Sequence, residues 1–227
     1  MTALPWPHVL TEWETLRAVA AGQSLARFGD GELKLLHGAG QVREPAQPAL
    51  AEELRLVLQS VDARCLAAVP TMDPRGAKYH NWQRHHARFL GCLDMARTYG
   101  SAFVSRPDSA PWIRTPAYAQ ALVALWEGKR VALVSEPGVA IYRAVALTAP
   151  EGWVHISCPH QETYRQLDHI EAAVHAAQPA MALLSCGPAA TCLAYRLAIR
   201  GIQALDIGSA GGFLLKELFG LVTQELK

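Results

Sequence analysis

The stretch Lys129-Arg130-Val131-Ala132-Leu133-Val134-Ser135-Glu136-Pro137-Gly138 decides the fold. Its first half reads as a strongly apolar strand over 130–135, and Glu136-Pro137-Gly138 reads as the turn that ends it. Working outward towards the C-terminus, the pattern repeats. A helix over 139–147 is followed by a strand over 153–157, a helix over 162–176 and an apolar strand over 180–185. A helix over 189–200, a short strand over 204–207 and a C-terminal helix complete the series. Strands and helices alternating at this period call for a parallel sheet covered on both faces.

Towards the N-terminus the same alternation continues less regularly. Thr115-Pro116 opens a helix that stops at Gly128, with Pro at the first helical position. A strand is expected over 101–105, opening into Arg106-Pro107-Asp108, and a helix over 81–98 before it. An irregular polar segment over 71–79, a strand over 65–69, a helix over 49–60 and a helix over 10–21 precede these. The reading is one α/β domain over 1–227, Rossmann-like, with a mostly parallel sheet and helices on both faces. No internal repeat, low-complexity tract or linker divides it.

Bulk composition narrows the function classes. The 227 residues are 51% apolar and 18% charged with a formal net charge of +1, an ordinary globular balance. No basic patch or tail points to a nucleic acid or a membrane surface. Cys65, Cys92, Cys158, Cys186 and Cys192 are scattered, with no CxxC pair, and are expected as reduced thiols in a cytoplasmic protein. The N-terminus has no basic region and carries two prolines, so no signal peptide is expected. No apolar run approaches the length of a bilayer span.

In open parallel sheets, ligands bind at the carboxyl ends of the strands. Three stretches fall there. Ser24-Leu25-Ala26-Arg27-Phe28-Gly29-Asp30-Gly31-Glu32 reads as a strand, a tight turn and a helix start. Acids at i and i+2 on such a turn can converge on a hard cation, because the glycines let the backbone fold beneath it. The same residues also suit an N-cap at Asp30 and a first-turn acid at Glu32. Arg27 adds a permanent cation suited to phosphate. The second stretch is Ser105-Arg106-Pro107-Asp108. The third is Ser185-Cys186-Gly187-Pro188-Ala189-Ala190-Thr191, a strand running into a helix whose first amides, with the Thr191 hydroxyl, suit a phosphate.

Other chemistries lack their signatures. The glycines match neither a Walker loop nor GxGxxG, and no GxSxG is present. His80, His85 and His86 do not have HExxH spacing, which argues against zinc.

The first and third stretches together carry a resemblance. Residues Ser24 to Glu32 resemble the S-x-x-R-[FY]-G-D-G-E opening of the bacterial GT-D-type glycosyltransferases. Cys186-Gly187-Pro188-Ala189-Ala190-Thr191-Cys192-Leu193-Ala194-Tyr195-Arg196-Leu197, followed by Gly201-Ile202-Gln203-Ala204-Leu205-Asp206-Ile207-Gly208, resembles their C-terminal block. Phe103 to Pro107 and Leu125 to Val131 resemble two central segments of the family, in the same order.

The resemblance implies transfer of a sugar from a nucleotide donor, with UDP as the expected carrier, to a glycan or glycoconjugate acceptor. It implies a D-x-E metal motif at Asp30 and Glu32 holding Mn²⁺ or Mg²⁺, where the cation neutralises a diphosphate leaving group. Arg27, Gly29, Arg106, Gly187, Pro188, Thr191 and Asp206 are the expected donor-binding residues. One departure stands out. After Asp206-Ile207-Gly208, where the family continues with His-Ile-Asp, this chain reads Ser209-Ala210-Gly211-Gly212-Phe213, with no acid before Glu217. That segment motivates two other readings, a non-catalytic sugar-nucleotide-binding module and a metal-dependent nucleotide-sugar hydrolase. Asp206 remains, and Asp73, Asp108 and Glu136 are the alternatives for an acceptor-activating base.

Overall fold

In the computed structural model, which describes residues 5–149 and 152–221, eight strands form one sheet. The chain begins with β1 (His8–Val9), α1 (Glu12–Ala20), β2 (Ser24–Arg27), α2 (Asp30–Leu36), α3 (Pro48–Gln59) and β3 (Cys65–Val69). It continues through α4 (Tyr79–Leu90), β4 (Thr98–Ser101), α5 (Pro116–Val123), β5 (Val131–Ser135) and α6 (Ala140–Thr148). The last elements are β6 (Trp153–Ser157), α7 (Leu167–Ala177), β7 (Met181–Ser185), α8 (Ala189–Ile199), β8 (Gln203–Asp206) and α9 (Gly211–Phe219). Two single 3₁₀ turns, Pro111–Ile113 and Thr163–Gln166, lead into α5 and α7.

The strand order is β1-β4-β3-β2-β8-β7-β5-β6, and each described pairing is parallel. The α/β, Rossmann-like expectation holds, and its deciding stretch lies at the heart of the sheet. Val131, Ala132, Leu133 and Val134 of β5 are fully buried, and so are Met181, Ala182, Leu183 and Leu184 of β7 beside them. Five residue pairs bind β5 to β7 and five bind it to β6.

The N-terminal half departs from expectation in three places. Strand β4 spans Thr98–Ser101, not 101–105, because Phe103 donates its N–H to the Ser101 hydroxyl and the chain turns there instead of extending the ladder. Helix α4 stops at Leu90, not 98. Asp94 accepts from the Ala96 N–H at 2.9 Å, an Asx-type turn that folds the chain back towards β4. Strand β1, two residues long beside Pro5 and Pro7, was not expected; it closes the edge next to β4.

The order reverses between β2 and β8. From β2 the chain winds outward through β3 and β4, whereas β8, β7, β5 and β6 build the other half. A crevice at the carboxyl ends follows from such a switch point. One registered pair, Leu25 with Leu205, joins the two strands. Side chains close the rest of this seam: Ser24 Oγ accepts from Ala204 N–H, and Gln203 Nε2 donates to the carbonyls of Val19 and Gln23. Helix α8 lies across both strands, its Thr191 hydroxyl donating to the Arg27 carbonyl at 2.8 Å.

Candidate active site

The turn leaving β2 is shaped by Glu32. Gly29 is the N-cap of α2, and Glu32 folds back so that Oε2 accepts the Gly29 N–H at 2.7 Å. The capping role expected of Asp30 therefore falls to the Gly29–Glu32 pair. Asp30 is the first helical residue instead, its side chain 59% exposed and 3.8 Å from Lys34 Nζ. Both acids sit in the first turn, where the helix dipole favours negative charge. Burial, reinforced by the charge of Asp206, pushes the Glu32 carboxyl up to about 7.

Arg27 ends β2 and crosses the seam. Its Nη1 donates to the Ala102 carbonyl at 3.2 Å and to Ser105 Oγ at 2.8 Å, and its Nη2 donates to Asp206 Oδ1 at 3.0 Å. Asp206, at the end of β8, also accepts the Gly208 N–H at 3.1 Å. Burial raises the Asp206 carboxyl, against the opposing pull of Arg27. A Cβ on Gly208 would stand 2.2 Å from Arg27 Nη2, and its φ is +47°, so this close approach requires glycine.

The loop after β4 brings Arg106 to the same end of the sheet. Its Nε and Nη2 bind both oxygens of Asp108 at 2.8 Å, and Lys78 Nζ binds Asp108 from the loop after β3. The two cations hold the Asp108 carboxyl well below the usual carboxylate range. Opposite, β7 runs through Gly187 and Pro188 into α8. The Ala190 and Thr191 amides are engaged by the carbonyls of Gly187 and Pro188 in a tightened first turn. Thr191 is fully buried, and its hydroxyl is committed to the Arg27 carbonyl. Thr191, expected as a donor contact, is not among the residues that line the cleft described below; its hydroxyl braces α8 against β2.

These loops enclose a cleft of about 620 Å³ at the switch point. Arg27, Gly29, Asp30, Glu32, Arg106, Gly187, Pro188 and Asp206 all line it, although they come from four strand ends distributed along the chain. The cleft also includes residues that sequence reasoning missed: Gln41 and Arg43 from the connection between α2 and α3, Lys78, Asn81 and Trp82 around the start of α4, and Ser109 and Ser209. Lys78 was discoverable in principle, because the loop after β3 must open at the same end as that after β2. Gln41 and Arg43 carry no such signal, since their connection joins two helices. Arg27 Nε, Gln41 Nε2 and Trp82 Nε1 are buried donors without a protein partner among the described residues.

A hard divalent cation fits this donor set. Asp30 keeps its carboxylate exposed behind one long ion pair, and Glu32 keeps one oxygen beyond its bond to Gly29. Among the described residues no three of His, Cys, Asp and Glu converge, so two carboxylates would be the protein's share and phosphate and water oxygens the remainder.

Comparison with known proteins agrees with the geometry. Residues 25–211 match the family model described as the glycosyltransferase GT-D fold. A probable glycosyl transferase Gly from Streptococcus gordonii is 32% identical over 203 residues, 82% of this chain and 29% of its own length. Glycosyltransferase GlyD from Streptococcus pneumoniae serotype 4 is 26% identical over 200 residues, 82% of this chain and 24% of its own length. The chain thus spans less than a third of either curated relative. Among solved structures, a domain of unknown function 1792, described as having a distinct glycosyltransferase fold, superposes with a TM-score of 0.82 at 27% identity, covering 94% of this chain and 82% of that one. A glycosyltransferase from Streptococcus sanguinis superposes with a TM-score of 0.80 at 26% identity, covering 95% of this chain and 86% of that one. With its switch-point cleft, its acidic turn and a family match over most of its length, the chain belongs to the glycosyltransferase GT-D fold family.

Proposed function

We propose that the chain transfers a sugar from a nucleotide-sugar donor, with UDP as the expected nucleotide, to a hydroxyl of a glycan or glycoconjugate acceptor. The observation that carries this reading is the placement of the Asp30–Glu32 turn in one cleft with the Gly187-Pro188 helix start and with cationic side chains. A diphosphate needs positive charge and N–H donors around its oxygens, and a sugar needs polar groups beside it; the cleft supplies both.

Asp30 and Glu32 would hold Mn²⁺ or Mg²⁺, and the cation's chemistry is to neutralise the diphosphate as the glycosidic bond breaks. Arg106, held in place by Asp108, faces the same space as a phosphate contact. Arg27 contributes from beneath. Its guanidinium keeps Asp206 neutralised and locks the loops after β4 and β8 into one floor. The chemistry suits assembly of a surface polysaccharide or glycoconjugate from the cytoplasmic side. Five free cysteines support that compartment, and among the described residues no helix is long and apolar enough to cross a membrane.

The test is to incubate the protein with a panel of UDP-sugars, a panel of hydroxyl-bearing glycan acceptors and Mn²⁺, and to follow UDP release and sugar transfer. Asp30→Asn is expected to lower turnover by on the order of 100-fold while leaving the thermal midpoint near that of the parent, because Asp30 is exposed. Wild-type protein that consumes no nucleotide sugar, or Asp30→Asn at full rate, would sink this reading.

A further inference from the structure

The cations that line the cleft differ in how much of their hydrogen-bonding capacity is free. Arg27 is 9% exposed and bonded to two side chains and a carbonyl, and Arg106 spends one guanidinium edge on Asp108, which Lys78 shares. Arg43 is different. Its side chain is 45% exposed, and among the described residues only Nη1 is engaged, donating to Glu136 Oε1 at 2.8 Å. The Nε–Nη2 edge is left with two parallel N–H groups, the arrangement that takes a phosphate bidentately.

The backbone around Arg43 is built to hold it there. Gln41 and Glu44 exchange N–H···O bonds at 2.9 and 3.1 Å, forming a tight turn that presents Arg43. The Arg43 carbonyl accepts the Glu162 N–H at 2.8 Å, and the Arg43 N–H donates to Gln41 Oε1 at 3.1 Å. Glu136 is itself fixed: it follows β5, is 18% exposed, and accepts at Oε2 from His160 Nδ1 at 2.7 Å. The Arg43 Cδ lies 3.9 Å from where a Cβ on Gly187 would stand, so the side chain passes over the turn that opens α8.

We propose that Arg43 is the cation that grips the donor's diphosphate from above the Gly187 turn, with Glu136, braced by His160, as its positioning residue. This inference rests on the nucleotide-sugar reading. It adds a phosphate contact from a helix–helix connection that belongs to no motif in the chain.

UDP in the presence of MnCl₂, titrated calorimetrically, is the probe, with uridine followed by ligand-observed NMR as the phosphate-free control. Arg43→Ala is expected to weaken UDP binding about 10- to 100-fold, the worth of a charge-assisted contact, and to leave uridine unchanged. Arg43→Lys should recover part of the loss, because charge returns without the planar fork. Glu136→Gln should weaken UDP less than Arg43→Ala, since the cation is kept and only its placement suffers. Arg43→Ala binding UDP as tightly as wild type, or losing UDP and uridine equally, overturns the assignment while the donor reading stands. Wild-type protein that binds no UDP overturns both.

Discussion

At the end of β2 the guanidinium of Arg27 meets the Ala102 carbonyl, Ser105 and Asp206, and among the described residues only its Nε is without a protein partner. An arginine beside a D-x-E turn suggests a phosphate ligand from its type alone. Its surroundings give it a second duty, because it is the counter-charge of a carboxylate that is 4% exposed. Removing one member of such a pair leaves the other buried and uncompensated. Arg27→Met is therefore expected to destabilise the protein by about 3–5 kcal/mol in urea unfolding at neutral pH. An unchanged midpoint would show that the pair does not hold the seam. Glu32 follows the same logic: its position reads equally as cap and as ligand, and the fold uses it as the cap of its own helix while leaving one oxygen free.

At the scale of elements, the seam between β2 and β8 is where α8 matters. One registered strand pair joins the two halves of the sheet, so the helix lying across them carries an unusual share of their attachment. Thr191 is the clearest contact, a buried hydroxyl on the Arg27 carbonyl. Thr191→Val keeps the shape and removes the bond, and it should cost about 1–3 kcal/mol. Equilibrium unfolding would show it, with UDP affinity close to wild type if Thr191 only braces. A large loss of UDP binding at unchanged stability would restore it to the donor site. Elements of the C-terminal half were legible because each strand is an apolar run between clear turn signals, as in 131–135 and 181–185. Strand β4 was misplaced because Phe103-Val104 is as apolar as a strand, and burial in turns looks the same as burial in a ladder when only the sequence is read.

For the whole molecule, the switch-point cleft predicts a linked stability. A ligand that binds only the folded state adds about 2.7 kcal/mol at 100 times its Kd. UDP with Mn²⁺ is accordingly expected to raise the thermal midpoint by several degrees, and excess EDTA should remove that gain. EDTA without nucleotide should leave the midpoint where it was, because the Glu32 carboxylate is already satisfied at one oxygen by Gly29. Equal shifts by UDP with and without EDTA would separate nucleotide binding from the acidic turn.

By itself the sequence determined the α/β class, the order of the C-terminal units and the acidic turn. Those features are local: hydrophobic period, turn chemistry and glycine spacing act over a few residues and survive in any context. Only the tertiary structure decided which side chains share the cleft. Arg43 and Glu136 lie 93 positions apart, and Arg27 and Asp206 lie 179 apart, so each pair exists only because parallel crossovers return the chain to the same end of one sheet. It also decided that Thr191 faces inward and Asp30 outward, since orientation on a first helical turn depends on what the helix packs against.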